Sequence, residues 1–343
     1  MEDIKMKDTD LYYSLNDLLS YNAEISIAFS IRDLGKSFSA MSLMDKTIAS
    51  GRSCVWSRWD RDQTALSMKE YLDFSDHEFT ISSPSKGIKV LQPKNEELGS
   101  IYFIPIKDAS KAKGIDQNFK YWIYDEFLPE FYLNRVQKEE EYPKWGSLFT
   151  TLKRDTEDFR AILMSNCISW FNGYFRAWGI RPFPAGQKKR FTQKAYGYST
   201  DVVMHNVRPS PLALERVIRH EVAKGKSEEE ITRYIENATQ DKGFFIAKCP
   251  GWNAPLHPVL FVHHGQYYGF REYDGRIYFC KTKYRDDYAV MALNRRELSD
   301  GMVRDRGAGA NFERWINLGI ARFDDVEVMN AIIDLVYLSR ERL

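Results

Sequence analysis

The sequence predicts an α/β protein in three parts: a domain with a mostly parallel sheet over residues 1–196, a helical linker over 197–241 and a smaller β-rich α+β domain over 242–343. Three observations support this prediction. Short apolar runs alternate with helical patterns in the first half, two helices with clear start signals follow, and aromatic runs of period two begin after Gly243. With 343 residues, 43% of them hydrophobic and 28% charged, the chain can bury a core in each half.

Charge and composition exclude several classes of protein. Lys and Arg number 49 against 48 Asp and Glu, so the net charge of +1 excludes both a polybasic tail protein and an acidic disordered one. No apolar run approaches the length of a membrane span and the N-terminus has no apolar signal segment, so we expect no contact with a membrane. The four cysteines are widely spaced, which is typical of reduced thiols in the cytoplasm.

The elements of the first domain are predicted from short β-branched or aromatic runs bounded by polar residues, which are typical of buried strands. These predicted strands are Ile25–Phe29, Ser53–Ser57, Ser100–Pro105, Tyr121–Tyr124 and Ile162–Met164. A helix is predicted over Ser37–Ile48, where apolar residues recur every three or four positions. The Glu139–Pro143 region is predicted to be a loop.

The linker and the last domain are predicted from cap and turn residues. Ser210 and Pro211 begin one helix that stops at Gly225, and the capping box of Ser227 and Glu230 begins a second helix. The aromatic strands that follow are Phe244–Ala247, Pro258–His263, Tyr267–Glu272, Arg276–Lys281 and Tyr288–Leu293, with turns at His264–Gln266 and Asp274–Gly275 and a last helix over Asp324–Leu338.

A phosphate-binding loop is predicted between the first strand and its helix. Ser30–Ser37 reads Ser-Ile-Arg-Asp-Leu-Gly-Lys-Ser and matches the pattern G-x-x-x-x-G-K-[ST] except that Ser30 replaces the first glycine. Backbone N–H groups at a helix N-terminus bind phosphate, the lysine reaches the β- and γ-phosphates, and the serine hydroxyl is a ligand for Mg²⁺. The predicted nucleotide-binding residues are Arg32, Asp33, Leu34, Gly35, Lys36 and Ser37. A second Gly-Lys-Ser, Gly225–Ser227, follows a helix and is predicted to hold only helix caps.

Two carboxylates end the predicted strand Tyr121–Tyr124. A buried strand would deliver Asp125 to the carboxyl edge of the sheet, where it would hold Mg²⁺, and Glu126 would be the base that polarises the attacking water. Asn166 ends another predicted strand and is expected either to sense the γ-phosphate or orient water, or to form an ordinary turn. Arg154 is expected either to act on the transition state from a neighbouring subunit or to be a surface arginine. ATP and Mg²⁺ are therefore the predicted substrate and cofactor.

At these residues the chain resembles the DNA-packaging motor ATPases of small tailed phages, the φ29-like group. The matching segments are Leu18–Tyr21, Leu34–Ser37, Tyr124–Phe127, Leu163–Asn166 and Gly319–Asp324. The resemblance implies an ASCE-type P-loop ATPase domain, a short linker domain and a degenerate RNase H-like C-terminal domain. It also implies a homomeric ring, expected to be a pentamer, on the portal of an empty procapsid in the host cytoplasm. The expected partners are double-stranded DNA and the portal and procapsid, and a scaffold RNA is left open.

The resemblance also implies roles residue by residue. Lys36 and Ser37 match the Walker A lysine and serine of the family, and the Walker B pair matches Asp125 and Glu126. Arg154 falls where the family has its trans-acting arginine finger. The basic motif that contacts nucleotide in the family matches Arg58, after the second strand. Where the family pattern has glycines, this chain has Ser30 and Asp33.

Two alternatives to a packaging ATPase remain open from the sequence. One is a DNA-binding protein with a vestigial P-loop, whose helices Pro211–Lys224 and Ser227–Ala238 form a helix-turn-helix; the Glu228–Glu230 run at the start of the second helix disfavours it. The other is a terminase with an active nuclease. The predicted strands Pro258–His263 and Tyr267–Phe270 carry no acid for two-metal cleavage, so we expect no nuclease activity. The spacing of the Cys and His residues near the C-terminus also predicts no zinc site.

A basic segment lies near the predicted domain boundary. Between residues 186 and 226 there are nine Lys and Arg against three Asp and Glu, a net charge of +6. These cations are expected either to contact DNA phosphates without reading base sequence or to solubilise a linker. The densest cluster comprises Lys188, Lys189, Arg190 and Lys194.

Overall fold

The computed structural model describes residues 12–340 apart from 113–114, 116–117, 129–134, 155, 167–172, 181–182, 196–197, 228–230, 232–246, 252, 293–301, 305–306 and 318–319. The chain divides into two compact units. The first comprises Met1–Ile168, Asn172–Ile180 and Ala185–Thr239, and the second comprises Ser169–Phe171, Arg181–Pro184 and Gln240–Leu343.

A nine-stranded sheet is formed by the described residues of the first unit. Its strands are β1 (Ile25–Ser30), β2 (Ser53–Ser57), β3 (Phe79–Ser85), β4 (Ile88–Pro93), β5 (Ile101–Phe103), β6 (Phe119–Asp125), β7 (Arg160–Asn166), β8 (Gln187–Ala195) and β9 (Tyr198–Asn206). They are ordered β3-β4-β5-β2-β6-β7-β1-β9-β8. In this sheet order the neighbouring strands β5, β2, β6, β7, β1 and β9 are parallel, whereas β3, β4 and β8 are antiparallel to their neighbours. The predicted mostly parallel sheet is confirmed.

Helices cover this sheet. They are α1 (Leu15–Leu19), α2 (Lys36–Ala49), α3 (Arg61–Phe74), α4 (Arg135–Lys153), α5 (Gly173–Ala177) and α6 (Pro211–Ala223), with a 3-10 helix over Ile106–Ala112. Both β1 and β2 are buried at every position, as expected of central strands covered on both faces. At the start of α6 the Ser210 hydroxyl accepts a hydrogen bond from the Ala213 amide, and Gly225 beyond its end has φ +81°, so both predicted caps are confirmed.

The loop predicted at Glu139–Pro143 is wrong, because these residues lie inside α4. An interior proline removes one amide hydrogen bond and crowds a carbonyl of the preceding turn, and the helix continues where packing outweighs that cost. Trp145, Leu148 and Leu152 are all buried and recur at helical spacing, so they fix α4 against the sheet.

The boundary predicted at residue 196 is wrong as well. Strand β9, which follows it directly, pairs in parallel with β1 from Ile25 opposite Val202 to Phe29 opposite Asn206. Helix α6 then packs on the first unit through Ala213 and Val217. The charged residues of 187–201 gave no sign of the β8–β9 hairpin. In this hairpin Val202, Val203 and Met204 are buried and complete the core. The second linker helix predicted from Ser227 lies, apart from Ile231, outside the described residues.

The second unit has a six-stranded sheet among its described residues, ordered β14-β13-β10-β11-β12-β15. Its elements are β10 (Val259–His263), β11 (Gln266–Tyr273), β12 (Arg276–Thr282), β13 (Ala289–Ala292), β14 (Val303–Arg304), α7 (Gly307–Asn317), β15 (Ala321–Phe323) and α8 (Val326–Arg340). Strands β10, β11 and β12 form the predicted antiparallel meander, and β13 lies parallel to β10 and β14 parallel to β13. This arrangement is that of an RNase H-like sheet, with β15 added at one edge. The predicted fold class is confirmed.

Candidate functional site

The loop between β1 and α2 has the local geometry of a phosphate-binding loop. Gly35 is the N-cap of α2 and has φ +83°, and a side-chain Cβ at this position would lie 2.8 Å from the ring of Tyr12. Only glycine satisfies both requirements. Asp33 also has a left-handed backbone, with φ +59°, at a position where glycine is the easier residue. The chain has therefore kept the loop shape with only one of the pattern's glycines.

Lys36 is buried at the centre of this site, with 7% of its surface exposed. Its Nζ donates hydrogen bonds to Ser30 Oγ at 2.7 Å, to the Ile31 carbonyl at 2.8 Å and to Asn166 Oδ1 at 3.4 Å. Ser30, which replaces the first glycine of the pattern, thus gives the ammonium group a hydroxyl partner. A buried ammonium held at a helix N-terminus is a strong site for a phosphate oxygen.

The carboxylates of the Walker B candidate lie at the end of β6, beside the loop. Ser37 Oγ is 3.3–3.4 Å from the two carboxylate oxygens of Asp125, whose side chain is 4% exposed. Glu126 follows with φ +53°, and its amide donates to Asp125 Oδ1 at 3.1 Å. Burial raises the pKa of Glu126, while Arg58 and Arg32 lower it. A raised carboxyl pKa is typical of a group that exchanges a proton with a bound reactant.

Arg58 bridges the two carboxylates. Its guanidinium lies 2.8 Å from Asp125 Oδ2 and 3.4 Å from Glu126 Oε2, and the arginine side chain is only 12% exposed. The sequence placed Arg58 near a nucleotide, whereas the structure places it against the acids that would act on that nucleotide. The pairing depends on β2 and β6 being neighbours, which the residues around Arg58 do not reveal.

These groups open into one cavity of about 680 Å³. The predicted residues that line it are Arg32, Asp33, Leu34, Gly35, Lys36, Ser37, Asp125, Glu126 and Asn166. The sequence analysis missed further lining residues, which are Tyr12, Phe38, Ser165, Arg216, Val217 and His220. Phe38 follows the motif directly, but no local signal marks Arg216 or His220, because they come to the cavity only through the packing of α6.

The site fits a nucleoside triphosphate with a divalent cation. The hydroxyl of Ser37 and the carboxylate of Asp125 are the hard oxygen donors that Mg²⁺ prefers, and they already lie side by side. A buried lysine and a helix N-terminus provide for the phosphates, and about 680 Å³ lies within the range of ligand pockets. Mg²⁺ at this position would shield the phosphate charges and bind the γ-phosphate oxygens.

Arg154 does not line this cavity. It is exposed and follows α4, and the neighbouring Lys153 forms an ion pair with Glu24, which precedes β1. This end of α4 therefore lies at the amino edge of the sheet, opposite the loop that follows β1. A role for Arg154 at the catalytic site of another copy of the chain stays a prediction.

The predicted basic cluster lies on an edge strand and not in a linker. Lys188 of β8 forms an ion pair with Asp17, and the Arg190 guanidinium pairs with Asp201 at 2.5 Å. The side chain of Lys194 lies outside the described residues. The alternative in which these cations solubilise a linker is wrong, while their contact with DNA stays a prediction.

Acidic groups of the second unit show the predicted cap. The Asp325 carboxylate accepts a hydrogen bond from the Val328 amide at 2.8 Å and so begins α8.

Within the described part of the chain, His, Cys, Asp and Glu side chains close enough to share a metal ion are found as one group, Asp33, His220 and Glu221, which belongs to the first unit. None of the described helices is both long and apolar enough to cross a membrane.

Comparisons with known proteins find a matching family and similar solved structures. A family model described as podovirus DNA encapsidation protein (Gp16) matches residues 7–196. A search of curated proteins finds no match. Among solved structures, the chain resembles the packaging motor assembly of phage Phi-29, with 18% identity, a TM-score of 0.49 and coverage of 96% of this chain and 100% of that chain.

Two further solved structures are similar at the same level. The Phi-28 gp11 packaging motor is 16% identical with a TM-score of 0.46, over 97% of this chain and 99% of that chain. The N-terminal domain of the phi29 packaging ATPase is 22% identical with a TM-score of 0.45, over 59% of this chain and 98% of that chain. Likenesses this weak leave the function to rest on the family match and on the site.

Proposed function

The chain belongs to the podovirus DNA encapsidation protein (Gp16) family, and from that premise we propose that it is the ATPase of a phage DNA-packaging motor. The observation that carries the proposal is the meeting of Lys36, Ser37, Asp125 and Glu126 in one cavity. These side chains come from the loop after β1 and from the end of β6, and together they supply a phosphate site, a metal site and a base. A protein that only binds DNA needs none of these groups in one cavity.

Nucleotide binding follows from the loop and the lysine. The Lys36 ammonium, now held by Ser30 and Ile31, would turn to the β- and γ-phosphate oxygens. Ser37 and Asp125 would hold Mg²⁺ between them and the phosphates. Asn166, within reach of Lys36 at the end of β7, would contact the γ-phosphate and report its presence to that strand.

Hydrolysis follows from Glu126. Its carboxylate would accept the proton of a water molecule whose oxygen attacks the γ-phosphorus, while the bond from that phosphorus to the β,γ-bridging oxygen breaks and ADP leaves with the electron pair. Arg58 keeps the base ionised, because a cation 3.4 Å away favours the carboxylate. Arg154 of a neighbouring subunit would stabilise the charge that develops on the transferred phosphate.

The packaging role implies partners that this proposal includes. The protein would act in the host cytoplasm as a homomeric ring, expected to be pentameric, on the portal of an empty procapsid, with a scaffold RNA as a further candidate partner. It would hold double-stranded DNA through phosphate contacts, because a motor must pass every sequence of its genome. The second unit, with no acid on β10, would bind DNA, RNA or the portal and would cleave nothing.

Hydrolysis of ATP with and without DNA tests this function. We expect DNA to stimulate hydrolysis by the wild-type protein and Lys36→Ala to abolish it. Lys226→Ala is the matched control, because Lys226 belongs to the second Gly-Lys-Ser of the chain and contacts the buried carboxylate of Glu221 in α6. Equal loss in both variants, or full activity in Lys36→Ala, would contradict the proposal.

A further inference from the structure

Two consecutive carbonyl groups of the phosphate loop are held from outside the loop. The Arg216 guanidinium donates a hydrogen bond to the carbonyl of Asp33, and the Tyr13 amide donates to the carbonyl of Leu34 at 2.7 Å. In a trans peptide the N–H group points opposite to the carbonyl group. These contacts therefore turn the amides of Leu34 and Gly35 away from the two donors, and amides of this loop are the groups that bind phosphate.

Arg216 is itself fixed in place. Its guanidinium lies 4.1 Å from the ring centre of Tyr12, the residue that packs against Gly35. Its helix, α6, is anchored on the loop because Val217 and Ala213 pack against Ile31 and Leu34. The arginine thus meets the loop from a rigid element and in one orientation.

The Nε atom of Arg216 is buried and has no hydrogen-bond partner among the described residues. Native proteins retain few such donors, since an unpaired buried donor destabilises the fold. Arg219, one turn further along α6, is by contrast 77% exposed and forms an ion pair with Glu215. Two arginines of one helix therefore differ in what holds them, and only Arg216 reaches the cavity.

The loop needs an external support because its sequence departs from the glycine pattern. Asp33 has φ +59°, and a non-glycine residue in this region persists only when its surroundings hold it there. A hydrogen bond from a charged donor to the carbonyl of that same residue is such a support.

We propose that Arg216 is a positioning residue for nucleotide binding: it holds the peptide group after Asp33 so that the loop amides face the phosphates, and so compensates for the absence of a glycine at position 33. Arg216 does not act on the reacting atoms. The inference rests on the proposed nucleotide site, and it adds that the helix following β9 takes part in forming that site.

Binding of a non-hydrolysable Mg²⁺·ATP analogue tests the inference, measured by calorimetry together with KM and kcat. We expect Arg216→Ala to raise both the dissociation constant and KM by roughly tenfold or more, the loss typical of a charge-assisted hydrogen bond, while kcat changes less than about threefold. Arg216→Lys should recover part of the affinity, and Arg219→Ala should stay within about twofold of wild type. Hydrogen exchange of the Leu34 and Gly35 amides in nucleotide-free protein should be faster in Arg216→Ala.

Wild-type affinity and wild-type exchange in a folded Arg216→Ala would overturn the inference, as would equal losses in Arg216→Ala and Arg219→Ala. If the alanine variant does not fold, Arg216→Gln, which keeps the stem on α6, is judged by the same thresholds. Lys36→Ala separates the two claims. If it binds the analogue normally, the nucleotide site itself is wrong; if it does not bind while Arg216→Ala does, only the role of Arg216 fails.

Discussion

Replacing Arg58 with glutamine removes the cation between the two carboxylates and should both destabilise the protein and change its pH dependence. The side chains of Arg58 and Asp125 are 12% and 4% exposed and lie 2.8 Å apart. Breaking a buried pair by removing one partner costs about 3–5 kcal/mol, because it leaves a buried charge without compensation. The Ser37 hydroxyl still reaches the Asp125 carboxylate. We therefore expect the lower limit, about 3 kcal/mol.

Chemical unfolding measures this loss, with an exposed ion pair as the control. Arg190 and Asp201 are 52% and 28% exposed, so Arg190→Gln should cost no more than about 1 kcal/mol. In an Asp125→Asn background the Arg58→Gln change should cost much less, since the buried Asp125 charge is then absent. Equal costs for Arg58→Gln and Arg190→Gln would refute the reasoning.

The pH profile of the same variant tests the role of Glu126. Burial raises the pKa of Glu126 and the Arg58 charge lowers it, so the pKa must rise further when Arg58 is removed. The base works only as a carboxylate, so the acidic limb of residual kcat against pH should move to higher pH. A limb that stays in place or moves to lower pH would show that another group limits the reaction.

The remaining predictions concern the chemistry, the ring and the DNA path. Glu126→Gln should bind ATP with wild-type affinity and lose turnover, because its amide accepts no proton; normal steady-state hydrolysis would remove Glu126 from its role. Mixing Arg154→Ala with Glu126→Gln subunits should restore partial hydrolysis, because some interfaces then combine an intact base with an intact arginine; mixtures that assemble but stay inactive would show that Arg154 does not act in trans. Each neutralised phosphate contributes roughly 0.9 to the slope of log K against log salt. We expect that slope to fall by a few units when four cations of β8 are replaced by Gln, and an unchanged slope would place the DNA path elsewhere. The four are Lys188, Lys189, Arg190 and Lys194.

The sequence predicts the parts of the fold and the site that are local. The central strands β1, β2 and β6 are short, mostly apolar and mostly buried, so they follow from their own residues. The loop before Lys36 and the carboxylates after β6 also follow, because chain order alone brings both to the carboxyl edge of a parallel sheet.

What the sequence does not predict depends on contacts between distant segments. Arg58 meets Asp125 only because β2 and β6 are neighbours, and Arg216 meets the carbonyl of Asp33 only because α6 packs on the loop. β8 has three consecutive cations, Lys188, Lys189 and Arg190, so composition suggested a linker where hydrogen bonding to β9 makes a strand. The region Glu139–Pro143 is likewise predicted to be a loop, although the buried Trp145, Leu148 and Leu152 that follow it hold a helix.

Protection of DNA inside procapsids tests the central claim, that hydrolysis at this cavity drives packaging. Procapsids carrying their portal are mixed with the protein, ATP and double-stranded DNA, and the DNA that survives nuclease treatment is measured. The account predicts protected DNA with the wild-type protein and ATP, and none with a non-hydrolysable analogue or with Glu126→Gln. Protection by Glu126→Gln equal to that of the wild-type protein would contradict it.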